Sequence, residues 1–472
     1  MRKANLLIIL QLFICYLPVS AMAASEAREL SLSEACRIAL ESSPLIQQAE
    51  AARNAAGAEV DRAVSAFLPK LDVEVGYSHS NKPPKVFSDK LNQQEFATSD
   101  FAIDRLNDPG YRDNWGAKFI FTQPLFNQGR EYTGYKIARH KKEMASIQLD
   151  GARQGLLYMV EKAYFQTLLA ENRIEVLQKA LETAKKNEAL AEARHKTGMA
   201  LKSDVLNMAV HKTETERELI QAENNYMVAM ASLNKIMGHS MDAIWKLRDE
   251  EPAQQHAATD VACWINLAKK RRADLLAAQK QLETAHDRTR QAKFTFLPSV
   301  NLHAIYDNNR HNIAHSGGDD WTIMASASFN IFNGLGDRAA VASATAREKE
   351  AEAALKEAGT KTELEVRKAF YNLQNRIKQL EVMEKSVAQA EESLRIIARR
   401  YSNGLALIVE LLSADTVLKK EKLREARARF DVRLAWSGLR WSAGVLGAEN
   451  APPDICSTSL AEPGLHNSEP ER

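Results

Sequence analysis

Two hydrophobic rhythms alternate along the 472-residue chain. The first has a period of two. Leu71, Val73, Val75 and Tyr77 alternate with Asp72, Glu74, Gly76 and Ser78, and Trp115, Ala117, Phe119 and Phe121 keep the same spacing. It returns at Val300, Leu302, Ala304 and Tyr306, and at Trp321, Ile323, Ala325, Ala327, Phe329 and Ile331. A period of two marks strands covered on one face. Two hairpins are therefore expected, one with a long polar loop (79–114) and one with a shorter loop (307–320). The second rhythm is helical. From Leu156 a 4-3 spacing picks out Val160, Ala163, Thr167, Ala170, Ile174, Leu177, Leu181 and Ala184. From Val366 it picks out Phe370, Leu373, Ile377, Leu380, Val387, Leu394 and Ala398, with Glu384 and Glu391 interrupting. That is coiled-coil spacing.

Proline placement agrees. No proline occurs between Leu125 and Glu251, nor between Ser299 and Ala451, and interior proline breaks helices. These runs admit helices of about 65 residues, ~100 Å long at 1.5 Å per residue. Each is expected to end near Lys196 or Arg400, turn at Thr197-Gly198 or Asn403-Gly404, and return over roughly 203–237 or 409–445. Asn127 and Asp337 are the candidate N-caps. Alanine-rich helical segments, near 31–66 and 260–295, precede each hairpin. Pro69, Pro124 and Pro298 fall where helix should pass into strand.

The two rhythms recur because the chain is a tandem repeat. Phe67-Leu68-Pro69 matches Phe296-Leu297-Pro298, 229 positions on. Further along the offset is 206: Ala163-Tyr164-Phe165 matches Ala369-Phe370-Tyr371, and Arg194-x-x-x-Gly198 matches Arg400-x-x-x-Gly404. Asp204-Val205-Leu206 matches Glu410-Leu411-Leu412, and Leu233-x₄-Gly238 matches Leu439-x₄-Gly444. The offset falls by 23 between Pro69 and Phe126, so the first copy carries the longer hairpin insertion.

Composition narrows the function. A hydrophobic share of 45% and a formal charge of +2 fit a folded protein and give no sign of a nucleic-acid binder. Arg2 and Lys3, the apolar run Leu6–Leu17 and Ala21-Met22-Ala23 read as a secretory signal, 1–23, cleaved after Ala23. Beyond it no stretch is long and apolar enough for a membrane helix, but β-strands leave a weaker trace. The strand lengths suit tilted membrane strands of ~9–11 residues, and Trp115 and Trp321 sit where an aromatic girdle would. The same alternation fits a half-buried hairpin in a soluble sheet. Four strands cannot close a barrel, which takes about eight, so membrane strands here would require several chains to share one. Cys36, Cys263 and Cys456 do not make a disulfide framework. No catalytic constellation, cofactor site or strong metal motif is visible: His303, His311 and His315 lie in or beside the second hairpin loop without a metal-site spacing. Lys269-Lys270-Arg271-Arg272 reads as a solvated helix face.

The signal segment, the tandem repeat, the paired hairpins and the two tip motifs together resemble the TolC-like outer-membrane efflux protein family. The tip motifs are Arg194-His-Lys-Thr-Gly198-Met-Ala-Leu-Lys-Ser-Asp204-Val-Leu and Arg400-Tyr-Ser-Asn-Gly404-Leu-Ala-Leu-Ile-Val-Glu410-Leu-Leu. The resemblance implies a mainly α fold with a small β part. Long coiled-coil helical hairpins would form a trimeric α-barrel, and four strands per chain would contribute to a shared 12-stranded transmembrane β-barrel. It divides the chain into a signal (1–23), a first repeat (24–239), an equatorial linker (240–262), a second repeat (263–447) and a tail (448–472). It implies a homotrimer set in outer-membrane lipid. That trimer would be a passive, non-enzymatic exit channel of a tripartite efflux or type I secretion system. Its partners would be a periplasmic adaptor and an inner-membrane RND, ABC or MFS pump. Gly198, Met199, Ala200 and Leu201, with Gly404, Leu405, Ala406 and Leu407, would present a small apolar docking surface to the adaptor. Ser203, Asp204 and Tyr401 would link the closed entrance, and Glu410 would supply a ring carboxylate. Ala406 and Ser413 depart from the family's gate pattern, where an arginine and a second acid can stand. Asp204 also fits plain helix capping. The rival reading is an exported coiled-coil structural or adhesion protein, which leaves the hairpins and paired tips unexplained.

Overall fold

The computed structural model describes residues 28–249, 260–314 and 317–447. The expected signal segment, the tail, His315 and Cys456 lie outside these. A short strand β1 (Arg28–Leu30) leads into helices α1 (Leu32–Ser42) and α2 (Pro44–Ser65). Strand β2 (Lys70–Ser80) follows, then helix α3 (Pro83–Asn92), a 3-10 turn, helix α4 (Ile103–Asn107) and strand β3 (Arg112–Asn127). Helix α5 (Arg130–Lys196) runs 67 residues and returns as α6 (Lys202–Met237). Strand β4 (Trp245–Leu247) precedes helices α7 (Val261–Arg271) and α8 (Ala273–Phe294), then strands β5 (Ser299–Arg310) and β6 (Gly318–Ser328). Helix α9 (Gly336–Ser402), again 67 residues, returns as α10 (Ile408–Ser442).

Several local expectations need correction. The leading helix of each repeat is broken. Pro44 cannot donate to the helix before it and starts α2 instead, and Arg272 makes the equivalent break in extended backbone. Pro124 is not at a junction. It lies inside β3, where the register against β5 slips between Pro124 and Phe126, as expected of a residue with no ladder donor. Asn127 and Asp337 are not N-caps: Gly129 and Leu335 hold those positions in left-handed backbone. Asn127 instead donates to Glu131, and the Asp337 carboxylate accepts from Asn330 and Asn333. The long first loop is folded, with α3, the 3-10 turn and α4 closing over buried Val86 and an edge-packed Phe87, Phe96 and Phe101.

The repeat is visible in three dimensions. Tyr77 pairs with Trp115 in the first hairpin and Tyr306 with Trp321 in the second, the same pairing moved by 229 and 206 positions. Val160, Tyr164 and Leu233 of one core match Val366, Phe370 and Leu439 of the other. The copies differ where the short parallel β1–β4 pair lies. The buried Tyr164 hydroxyl lies 2.8 Å from the carbonyls of both Leu30 and Arg248 there and bridges them with its one proton. Its counterpart Phe370 has no hydroxyl and packs in an all-apolar core.

The four long strands form one antiparallel sheet in the order β2-β3-β5-β6. Its register collects the alternating positions onto one face: Tyr77 beside Trp115, Val73 beside Phe119, Phe119 beside Tyr306, Tyr306 beside Trp321. The other face carries Glu74 beside Lys118, Lys118 beside Asp307, and Thr122 hydrogen-bonded to His303. Val75 is 75% exposed and Trp321 72% exposed, so nothing among the described residues covers the apolar face. Both outer strands, β2 and β6, have an unpaired edge in the sheet.

Candidate functional site: the two helix-hairpin tips

Both tips are built alike. At the first, the amide of Gly198 bonds the His195 carbonyl at 3.0 Å and that of Met199 the Arg194 carbonyl at 2.8 Å. At the second, Gly404 bonds Tyr401 at 3.0 Å and Leu405 bonds Arg400 at 2.8 Å. Both glycines have φ of +74°, a backbone that side chains resist, so the reversal itself calls for glycine. The return helices start with the same reciprocal cap. The Asp204 carboxylate accepts from the Leu201 amide at 3.1 Å, and Glu410 accepts from Leu407 at 3.4 Å. Both acids thus satisfy orphan amides of a helix first turn.

The turns push large apolar side chains into solvent. Met199, Leu201, Leu405 and Leu407 are 72%, 70%, 68% and 70% exposed. Gly198 and Gly404 are exposed and Ala200 and Ala406 half-buried between them. Behind this surface the tips pack together: Ala191, Val205 and Met208 meet Tyr401, Ile408 and Leu411 in one buried cluster.

Of the expected linking residues, Tyr401 is buried in that cluster, Asp204 is half-buried and Ser203 is exposed. Among the described residues no hydrogen bond joins Tyr401 to Ser203 or Asp204 within one chain. The contact that does cross between tips belongs to Arg194. Its Nη1 donates to the Tyr401 carbonyl at 2.8 Å, its Nη2 donates to the Ser402 carbonyl, and its guanidinium lies 4.9 Å over the Tyr401 ring. Higher up, buried Asp415 accepts from His211 at 2.9 Å, and Lys419 pairs with Glu218 at 2.9 Å. Glu188 beside Lys212 fixes α5 to α6 and raises the ammonium above its usual range. Arg194 stands in the first tip motif, but its carbonyl partners lie 207 and 208 positions away, so the local pattern gives it no role. His211 and Asp415 left no signal, because their partners are 204 positions away.

One cluster carries the donor types of a metal site. His140, Glu143 and Glu283 could hold an ion by position. Lys280 Nζ, however, lies 2.9 Å from Glu143 and 2.8 Å from Glu283, and this neighbour holds the Glu143 carboxyl below its usual range. The cation is already present, and the set ties α5 to α8. In the basic run, Lys269 pairs with Glu363, and Arg272, which follows the helix and is largely covered, pairs with Asp274 and Glu365, while Lys270 and Arg271 are exposed at the helix end. His303 lies in strand β5, beside the loop. Cys263 is disulfide-bonded and Cys36 is a free thiol.

The chain thus joins an amphipathic four-stranded antiparallel sheet to two long helical hairpins. No described helix is long and apolar enough to cross a membrane. Residues 35–239 and 264–445 match the family described as outer membrane efflux protein, and the chain belongs to that family. Among relatives, the outer membrane protein TolC of Vibrio cholerae is 24% identical over 433 residues, covering 89% of this chain and 92% of that one. The alkaline protease secretion protein AprF of Pseudomonas aeruginosa is 23% identical over 431 residues, covering 89% and 86%. Among solved structures, the outer membrane protein VceC of Vibrio cholerae superimposes with a TM-score of 0.74 at 20% identity, covering 88% of this chain and 96% of that one. The protein is an outer-membrane efflux or secretion channel that extends into the periplasm.

Proposed function

We propose that three copies of this chain close one 12-stranded barrel in outer-membrane lipid and continue below it as a helical tunnel. The observation that carries this is the sheet: its apolar face is bare and both of its edges are open. Open edges and bare apolar strands are liabilities in water, and closure in lipid removes both. The tunnel is a passive, non-enzymatic exit duct of a tripartite efflux or type I secretion system. Its exposed tips, Gly198 to Leu201 and Gly404 to Leu407, dock on a periplasmic adaptor, which couples the duct to an inner-membrane RND, ABC or MFS pump. The segment around β4 forms part of a girdle at mid-height.

The entrance is gated at the same tips. Ser203 is exposed and Asp204 half-buried at the start of α6, and on this reading they link to Tyr401 of a neighbouring copy once the closed tips meet. Three exposed Glu410 carboxylates around one axis would crowd like charges and attract cations. Purified protein in planar bilayers should show discrete conductance steps. The double variant Tyr401→Phe with Asp204→Ala should show a larger resting conductance. Equal conductance in the two proteins would remove these residues from the gate.

A further inference from the structure

We propose that Arg400 clasps the first tip of a neighbouring copy, its guanidinium donating to the carbonyls of His195 and Lys196 there and lying over that His195 ring. The proposal rests on the three-copy reading above.

The tips are equivalent position by position at an offset of 206. Their glycine φ angles agree at +74°, and their turn hydrogen bonds agree at 3.0 and 2.8 Å. Their return caps also agree, with Leu201 at φ −79°, ψ 155° and Leu407 at φ −83°, ψ 154°. Within one chain the first tip's arginine already makes the clasp, Arg194 holding the Tyr401 and Ser402 carbonyls from above the Tyr401 ring. Moved by 206 positions, the donor becomes Arg400, the acceptors become His195 and Lys196, and the ring becomes His195.

A single chain cannot satisfy this second clasp, because its first tip lies on the other side. Among the described residues the Arg400 side chain makes one hydrogen bond, a 3.2 Å contact to the Leu405 carbonyl of its own exposed turn. That leaves most of a guanidinium's five donors unused. In a ring of three copies, first and second tips alternate, so every second tip meets the first tip of the next copy.

The chemistry suits the exchange. The last carbonyls of a helix lack partners within the helix and carry partial negative charge. His195 and Lys196 end α5 as Tyr401 and Ser402 end α9. The Tyr401 carbonyl accepts from both Gly404 and the Arg194 side chain, whereas among the described residues the His195 carbonyl accepts only from the Thr197 and Gly198 amides of its own turn. Two parallel donors at fixed spacing are what arginine offers and lysine does not. The tips would then form a closed cycle of three clasps within chains and three between them. Only those between chains can release without parting a chain's own tips, which makes Arg400 the residue that sets how far the entrance can spread.

The test joins the two positions with a short bismaleimide whose span replaces the arginine side chain. In isolated outer membranes, Arg400→Cys with Lys196→Cys should give covalent dimers and trimers on denaturing gels. Arg194→Cys with Ser402→Cys should give nothing larger than a monomer. Burial pushes the thiol of half-buried Cys36 up to about 12, which slows its reaction, and single-cysteine variants control for it. Native mass spectrometry of untreated samples reports the oligomer independently. Trimers that yield no interchain product from the 400/196 pair overturn the clasp and leave the trimer standing, whereas monomers throughout overturn both. Arg400→Ala should also raise resting conductance several-fold, with no rescue by Arg400→Lys. An unchanged conductance in Arg400→Ala overturns the clasp as well.

Discussion

Gly238→Val or Gly444→Val should remove the folded channel from the outer membrane. The two glycines are equivalent, each ending the return helix of its repeat with φ near +70°: +71° at Gly238 and +73° at Gly444. Each also touches the break between the two short leading helices of its repeat. A Cβ on Gly238 would lie 2.8 Å from the Ser42 carbonyl oxygen, and one on Gly444 would lie 2.9 Å from the Arg271 carbonyl carbon and oxygen. Both obstacles are backbone and cannot rotate away. The left-handed conformation alone costs a side chain ~1–2 kcal/mol. With the clash added, roughly 3–5 kcal/mol is a fair scale for the whole substitution. That is a large part of the ~5–15 kcal/mol that holds a typical domain. Immunoblots of membrane fractions and thermal unfolding by circular dichroism would measure it. Gly359 is the control, since a Cβ there meets nothing within 4 Å and its φ is an ordinary helical one. Gly359→Ala should be neutral or gain up to ~1 kcal/mol. Normal accumulation of Gly238→Val would show that the backbone contact with Ser42 is not tight.

The second large effect should fall on transport rather than folding. Leu405→Asp combined with Leu201→Asp should abolish export while protein levels stay normal. Both side chains are mostly in solvent, so their loss removes little burial from the chain itself. If an adaptor covers them, each aspartate becomes a buried charge without a partner. Such a group costs ~1–3 kcal/mol or more, and every ~1.4 kcal/mol is tenfold in affinity. Two of them should weaken docking by at least about thirtyfold on that scale. Co-purification of the adaptor and growth on an exported toxic compound would both report this. Full export by the double variant would move the docking surface away from the tip turns.

Much of this architecture was legible in the sequence because the repeat amplifies weak signals. A single hairpin pattern could belong to a soluble sheet, but two at fixed offsets, each followed by a coiled-coil stripe and a glycine turn, could not easily arise apart. Leu156, Val160, Ala163, Thr167, Leu177 and Ala184 of the first stripe are buried, as are Phe370 and Leu373 of the second. Ala170, Ile174 and Leu181 are only half-buried within one chain. What sequence could not supply was local and long-range detail. Caps were misplaced because backbone carbonyls and left-handed residues did the work expected of Asn127 and Asp337. Pro124 looked like a boundary because a bulge inside a strand has the same signature as its end. The Arg194 clasp and the His211–Asp415 pair depend on which helix lies beside which, and no local pattern encodes that.

The central claim is that three copies close one barrel, and the seam between copies has a definite register. Within the chain Phe119 of β3 pairs with Tyr306 of β5. The equivalent of Phe119, 206 positions on, is Ala325 of β6, and the equivalent of Tyr306, 229 positions back, is Tyr77 of β2. Ala325 of one copy should therefore stand opposite Tyr77 of the next, at the ~4.5–5.5 Å Cβ spacing of paired strand residues. Mild oxidation of Ala325→Cys with Tyr77→Cys in intact outer membranes should give disulfide-linked dimers and trimers that survive boiling and collapse to monomers on reduction. Failure to cross-link at this pair, with cross-linking of neither adjacent register, would contradict closure of the barrel through three copies.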